Sequence, residues 1–113
     1  MTTIFKDIID KKIKTDLIYE DDICIAFNDL NPVAPIHILI IPKKEIATIN
    51  DLSENDKEIV GHLTFVAKKI AQEKQIDNKG YRLIFNCNED GGQSVYHIHL
   101  HLIGGRKFTW PPG

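Results

Sequence analysis

Gly91-Gly92-Gln93-Ser94-Val95-Tyr96-His97-Ile98-His99-Leu100-His101-Leu102-Ile103 is the stretch from which the fold is read. Apolar and polar side chains alternate along its second half, the two-residue period of a half-buried strand, so residues 95–103 are expected to be extended. On a strand, alternate side chains share a face. His97, His99 and His101 would therefore project together, with Ile98, Leu100 and Leu102 turned the other way into the core.

Three histidines in register suggest a metal site first. Successive imidazoles are separated by roughly 6.6 Å along a strand and the outer pair by roughly 13 Å, whereas zinc–nitrogen bonds are only about 2.0–2.1 Å long. One ion could not hold all three, and no cysteine pair completes a tetrahedral set, although folding could bring in His37 or Asp90. The alternative of solvent-facing histidines fits one such residue better than three in register. Upstream, Gly91-Gly92-Gln93-Ser94 offers backbone N–H groups, conformational freedom and a hydroxyl, which suit close approach of an anion. The combination points toward phosphate.

Working outward, Ile4, Phe5, Ile8 and Ile9 recur at helical spacing and predict a short amphipathic helix, with Ile13 closing over its apolar side. Leu17-Ile18-Tyr19 and Ile23-Cys24-Ile25-Ala26-Phe27 predict a hairpin about the acidic turn Glu20-Asp21-Asp22. Residues 28–35 form a proline-containing loop, and His37 opens a buried strand that stops at Pro42. Over residues 53–75 the positions Ile59, Leu63, Val66 and Ile70 share one helical face, reinforced by Val60, Ala67 and Ala71, with Ser53 and Asp56 suited to the helix start. Tyr81-Arg82-Leu83-Ile84-Phe85 is a further strand, and residues 89–94 are a glycine-containing loop. Hairpins mixed with one long helix give an α+β fold.

The length of 113 residues allows one compact domain, and 42% hydrophobic with 27% charged residues exclude a disordered or fibrous chain. Fourteen Lys plus Arg against sixteen Asp plus Glu give a net charge of −2 without a basic run, which excludes a sequence-independent grip on long nucleic acid. The start of the sequence has no signal-peptide character and Ile38-Leu39-Ile40-Ile41 is too short to span a bilayer, so no membrane association and a cytoplasmic location are expected. Cys24 and Cys87 form no CxxC pattern and are expected to be buried and inert. His62, on the long helix, is expected at the surface or its boundary.

The run from Gly91 to Arg106 resembles the signature of the histidine triad (HIT) family, His-x-His-x-His followed by apolar residues, and looks closest to its histidine triad nucleotide-binding branch, the nucleoside phosphoramidases. The similarity extends through Thr3-Ile4-Phe5, Tyr19-Glu20-Asp21-Asp22, Ala34-Pro35-Ile36-His37, Ile41-Pro42-Lys43-Lys44, Asn78-Lys79-Gly80-Tyr81-Arg82 and Trp110-Pro111-Pro112-Gly113. It implies one HIT domain over residues 1–113: a five-stranded antiparallel sheet with one long and one short helix, joined across a homodimer into ten strands. It also implies a purine nucleotide substrate, such as an AMP or GMP conjugate, with neither metal nor cofactor.

Carried over by position, the resemblance makes His99 the nucleophile that attacks the α-phosphorus, with one ring nitrogen held by the main-chain carbonyl of His97. His101 would bind a phosphate oxygen, and Ser94 would contact the phosphate or leaving group and help protonate the departing amine. Asn86, Gly92, Gln93 and Val95 would complete the phosphate cradle, and His37 would pair with the side chain of His97. Asp29 would accept from the ribose hydroxyls. Ile4, Phe5, Ile8, Ile13, Phe27, Asn28 and Leu30 would wall the base pocket, and Trp110 would border the partner subunit's leaving-group pocket. Asn28 and Glu45 depart from relatives that carry histidine there. Two other functions fit the same motif: dinucleoside polyphosphate hydrolysis or nucleotidyl transfer, as in other branches, and nucleotide binding with a non-catalytic role.

Overall fold

The computed structural model describes residues 3–113. Five strands, β1 (Tyr19–Glu20), β2 (Cys24–Asn28), β3 (Ile36–Pro42), β4 (Tyr81–Ile84) and β5 (Leu100–Gly104), form one antiparallel sheet in the order β1-β2-β3-β5-β4. Helix α1 (Ile4–Ile9) begins at Thr3, whose hydroxyl accepts from the Lys6 amide, and helix α2 (Lys57–Glu73) is the main helix.

The sheet is covered on both faces, which is why its central strand reads as the unbroken apolar run Ile38-Leu39-Ile40-Ile41. Even-numbered β3 and β5 positions, Ile38, Ile40, Leu100 and Leu102, pack with Leu63, Val66, Ala67 and Ile70 of α2. Odd-numbered Leu39 and Ile41 pack with Ile25, Phe27 and the α1 residues Phe5 and Ile8. The strand period thus sorts side chains between two cores. His37 and His101 fall on the α1 side.

Three features depart from expectation. The strand expected over residues 95–103 is only half formed: β5 begins at Leu100, and the preceding residues pair outside the ladder, with the Ile98 amide donating to the Ile46 carbonyl at 2.8 Å. β3 itself continues to Pro42, but its pairing with β5 stops at Ile40 and Leu100; Pro42, in register with residue 98, has no N–H to donate, and the Ile98 amide turns to Ile46 instead. The loop at residues 89–94 contains a four-residue helix, α3 (Asn88–Gly91), closed by Gly92 in the left-handed conformation at φ 81°. The long helix is preceded by two 3₁₀ turns, Ile49–Asp51 and Glu54–Asp56, and Ser53 donates its amide and hydroxyl to the Asp56 carboxylate at 2.9 and 3.1 Å.

Candidate active site

The register of β3 against β5 decides which histidines meet. Leu39 faces His101 and His37 faces Ile103, so His37 and His101 are diagonal neighbours on one face. Their rings lie 5.2 Å apart between centroids, and His37 Nε2 is 2.9 Å from His101 Nδ1. The expected partnership of His37 with His97 is therefore corrected: His37 pairs with His101. His97 instead donates from Nε2 to the carbonyl of Pro42 at 2.7 Å, the end of the strand beyond which no ladder continues.

The hydrogen-bond network assigns the ring protons. A backbone carbonyl can only accept, so the bond from His99 Nδ1 to the His97 carbonyl, 2.8 Å long, places the His99 proton on Nδ1 and leaves a lone pair on Nε2. The Val33 amide donates to His37 Nδ1 at 3.1 Å, so the His37 proton sits on Nε2 and points to His101. His101 then accepts at Nδ1 and carries its own proton on Nε2. That Nε2 is buried and has no partner among the described residues. The site thus holds an unprotonated nitrogen on His99 beside an unengaged N–H on His101, with ring centroids 4.9 Å apart.

Burial keeps the rings of His97, His99 and His101 neutral. It lowers the pKa of His97 and of His99 below the ordinary imidazole value, and pushes His101 down to about 4, helped by the neighbouring His99 and His37. Phe5 stands edge-on to His99 at 5.0 Å and to Phe27 at 5.8 Å, so α1 contributes the apolar wall that desolvates the His99 ring.

Other expected site residues divide. Ile4, Ile8, Ile13, Phe27, Asn28 and Leu30 line one groove of about 400 Å³, together with Lys14, Thr15 and Asp16. Phe5 is buried and packs edge-on against Phe27, one of the lining residues. Asp29 reaches His37, with Oδ2 3.3 Å from Nε2, and its other oxygen accepts the Asn31 amide at 2.8 Å as in a turn. Gln93 is fully committed within the protein: its Nε2 donates to the Ala47 and Val95 carbonyls at 2.8 and 3.1 Å, and its Oε1 accepts from the Asn88 amide at 2.9 Å. Gly92 likewise spends its amide on the Glu89 carbonyl at 3.0 Å. Both residues shape the loop instead of presenting the donors expected of them. The amides of Ser94 and Val95 have no backbone partner among the described residues, and Ser94 is exposed. Asn86 backs onto this loop: a Cβ added at Gly91 would lie 3.7 Å from its backbone. Trp110 is exposed, with the Arg82 guanidinium 6.0 Å from its ring.

Among the described residues, two groups have donor atoms close enough to share an ion. They are Asp29, His37 and His101 on the α1 side, and Asp21, Cys24 and His62 across the sheet. In the second, Asp21 accepts from His62 at 2.6 Å, from Tyr19 at 2.8 Å and from the Ile23 and Cys24 amides. Those bonds outweigh the effect of burial and hold its carboxyl well below the usual carboxylate range. This contact fixes the hairpin turn to α2, a role for His62 that helical spacing alone did not reveal. Cys24 is buried, which pushes its thiol up to about 12, whereas Cys87 is half-buried and not sealed in the core.

The HIT domain family matches residues 10–108. The chain belongs to the HIT domain family. An uncharacterised HIT-like protein of Synechococcus elongatus is 47% identical over 111 residues, which cover 98% of this chain and 96% of that protein. A HIT family hydrolase from Legionella pneumophila superposes with a TM-score of 0.96 at 51% identity, covering 99% of this HIT chain and all of its own. A more distant solved structure, a histidine triad nucleotide-binding protein from Candida albicans, has a TM-score of 0.82 at 27% identity, with 97% and 83% of the two chains covered.

Proposed function

We propose that this HIT protein is a purine nucleoside phosphoramidase, a hydrolase that cleaves the P–N bond of nucleoside 5′-phosphoramidates such as AMP linked to an amine. The observation that carries the reading is the pair of tautomers at the triad: a lone pair on His99 Nε2 beside an unpartnered N–H on His101 Nε2. The first is a nucleophile and the second a donor for a developing negative oxygen.

In the first half-reaction His99 Nε2 forms a bond to the α-phosphorus as the P–N bond to the amine breaks. His101 donates to a phosphate oxygen, Ser94 helps deliver a proton to the departing amine, and a nucleotidyl-His99 intermediate remains. In the second half water attacks phosphorus, the bond to His99 breaks, and the nucleoside monophosphate leaves. Two displacements replace one difficult step. The free Ser94 and Val95 amides supply further phosphate donors and Asn86 stands beside them; Asp29 accepts from ribose. The groove bordered by Ile4, Ile13 and Leu30, apolar side chains left exposed, suits a purine ring.

The same reading includes a homodimer with a ten-stranded sheet, Trp110 approaching the partner's site, as the family resemblance implies. The nucleotide-binding name of the Candida albicans neighbour and the hydrolase name of the Legionella pneumophila neighbour support the substrate class and reaction type.

The decisive experiment measures amine release from an adenosine 5′-phosphoramidate by wild type, His99→Ala and His99→Gly, and looks for a nucleotidyl adduct by intact-protein mass spectrometry after acid-free quenching. Loss of turnover with AMP binding retained is expected. Undiminished turnover in either variant sinks the mechanism, and faster cleavage of a diadenosine polyphosphate than of the phosphoramidate would move the protein to another reaction.

A further inference from the structure

The donor on His101 depends on contacts that begin outside the site. Arg106 follows β5 on an exposed segment and directs two N–H groups, from Nε and Nη2, onto the carbonyl of Val33 at 3.2 and 3.1 Å. On the other side of the same Cα, the Val33 amide donates to His37 Nδ1. Val33 is 58% exposed and provides little packing of its own, so the loop gains from an outside anchor. The tail is seated to give one: a Cβ added to Gly105 would lie 2.9 Å from Pro35, and Gly105 takes φ +90°, so its backbone can approach this loop only as glycine. The guanidinium is braced in turn, 4.3 Å from the ring of Phe108, which Arg82 of β4 approaches from 5.3 Å.

Each link has a direction. Val33 N–H can only donate, so His37 presents a lone pair at Nδ1 and a proton at Nε2, where Asp29 Oδ2 at 3.3 Å favours the same placement from the other side. That proton makes His101 an acceptor at Nδ1 and a donor at Nε2. If the Val33 peptide swung away, the His37 proton could move to Nδ1. His37 Nε2 would then accept from His101 Nδ1, and His101 would present a lone pair where it now presents N–H. An approaching phosphate oxygen would meet repulsion in place of a hydrogen bond.

We propose that Arg106 is a positioning residue: by anchoring the Val33 peptide it selects the tautomer of His37 and, through it, keeps the proton of His101 facing the site. The tautomer selection stands on the hydrogen bonds alone, whereas its effect on turnover rests on the phosphoramidase reading, and the test separates the two. Long-range ¹H–¹⁵N spectra of histidine-labelled wild type, R106A and R106K report which nitrogen of each ring is protonated, without substrate. Wild type should show His37 and His101 protonated at Nε2. R106A should show both rings as tautomer mixtures, and R106K, with a single-point donor, should restore part of the wild-type pattern. On an adenosine phosphoramidate, kcat of R106A should fall roughly tenfold with KM nearly unchanged, a fraction of the roughly 10²–10⁴ that a positioned acid contributes. Wild-type tautomers in a folded R106A overturn the proposal whatever happens to turnover. Should R106A unfold, R106K decides, and an unaltered spectrum there overturns it equally. If wild type itself fails to cleave the phosphoramidate, the functional reading fails and the spectra alone still judge Arg106.

Discussion

At the scale of single residues, the site is built from neutral imidazoles placed where charge is costly. His97, His99 and His101 all titrate below the ordinary imidazole value, so between that value and their own the unfolded chain takes up protons that the folded chain refuses. Stability is therefore at its full level above about pH 6.5 and falls as the pH drops toward about 4, where His101 finally titrates. His101 alone accounts for a loss on the order of 3 kcal/mol across that window. Thermal unfolding measured from pH 8 to pH 4 should show this slope, and His101→Asn should flatten it; a variant melting curve as steep as wild type would contradict the assignment. The same depression keeps His99, the proposed nucleophile, unprotonated at neutral pH, so kcat/KM should stay level there and decline only on the acid side of the ordinary imidazole range.

Among the elements, local pattern and long-range pairing carry different information. The helical spacing of Leu63, Val66 and Ile70 and the alternation of Ile98, Leu100 and Leu102 are local, and both foretold which side chains are buried. The resemblance supplied the bond from His99 to the His97 carbonyl. No local pattern sets the register between β3 and β5, over sixty residues apart in sequence, and that register sends His37 to His101. Nor does a glycine pair disclose that Gly92 and Gln93 will spend their donors on closing α3 and bracing its loop. The shortened β5 has a related origin, since the Ile98 amide finds its acceptor at Ile46, outside the ladder, although β3 continues to Pro42. The buried face of α2 carries the packing beneath the site: Leu63 is fully buried, and Leu63→Ala should destabilise the fold by about 2–5 kcal/mol, read as a lower urea midpoint with an unchanged slope. A shift under about 1 kcal/mol would mean that the helix contributes less to the core than its burial implies.

For the molecule as a whole, the sheet has two unequal ends. β1 has only two residues, whereas β4 has four, an open outer side and the partly exposed Leu83, the kind of edge that pairs with another chain unless protected. The proposed homodimer would close that edge. Sedimentation equilibrium should give twice the mass of one chain for wild type and a single-chain mass for Leu83→Arg; a variant that stays dimeric would place the interface elsewhere. No helix among the described residues is long and apolar enough to cross a membrane. The tail also holds the single tryptophan of the sequence, Trp110, which is 82% exposed beside the Arg82 cation while every core cluster lacks an indole. Its emission in an isolated chain is consequently that of a water-bathed fluorophore, red-shifted and open to acrylamide before any heating. The optical signal most often used to follow unfolding will here follow the last few residues, and under the proposed homodimer a blue shift on raising the protein concentration would time the arrival of a second chain.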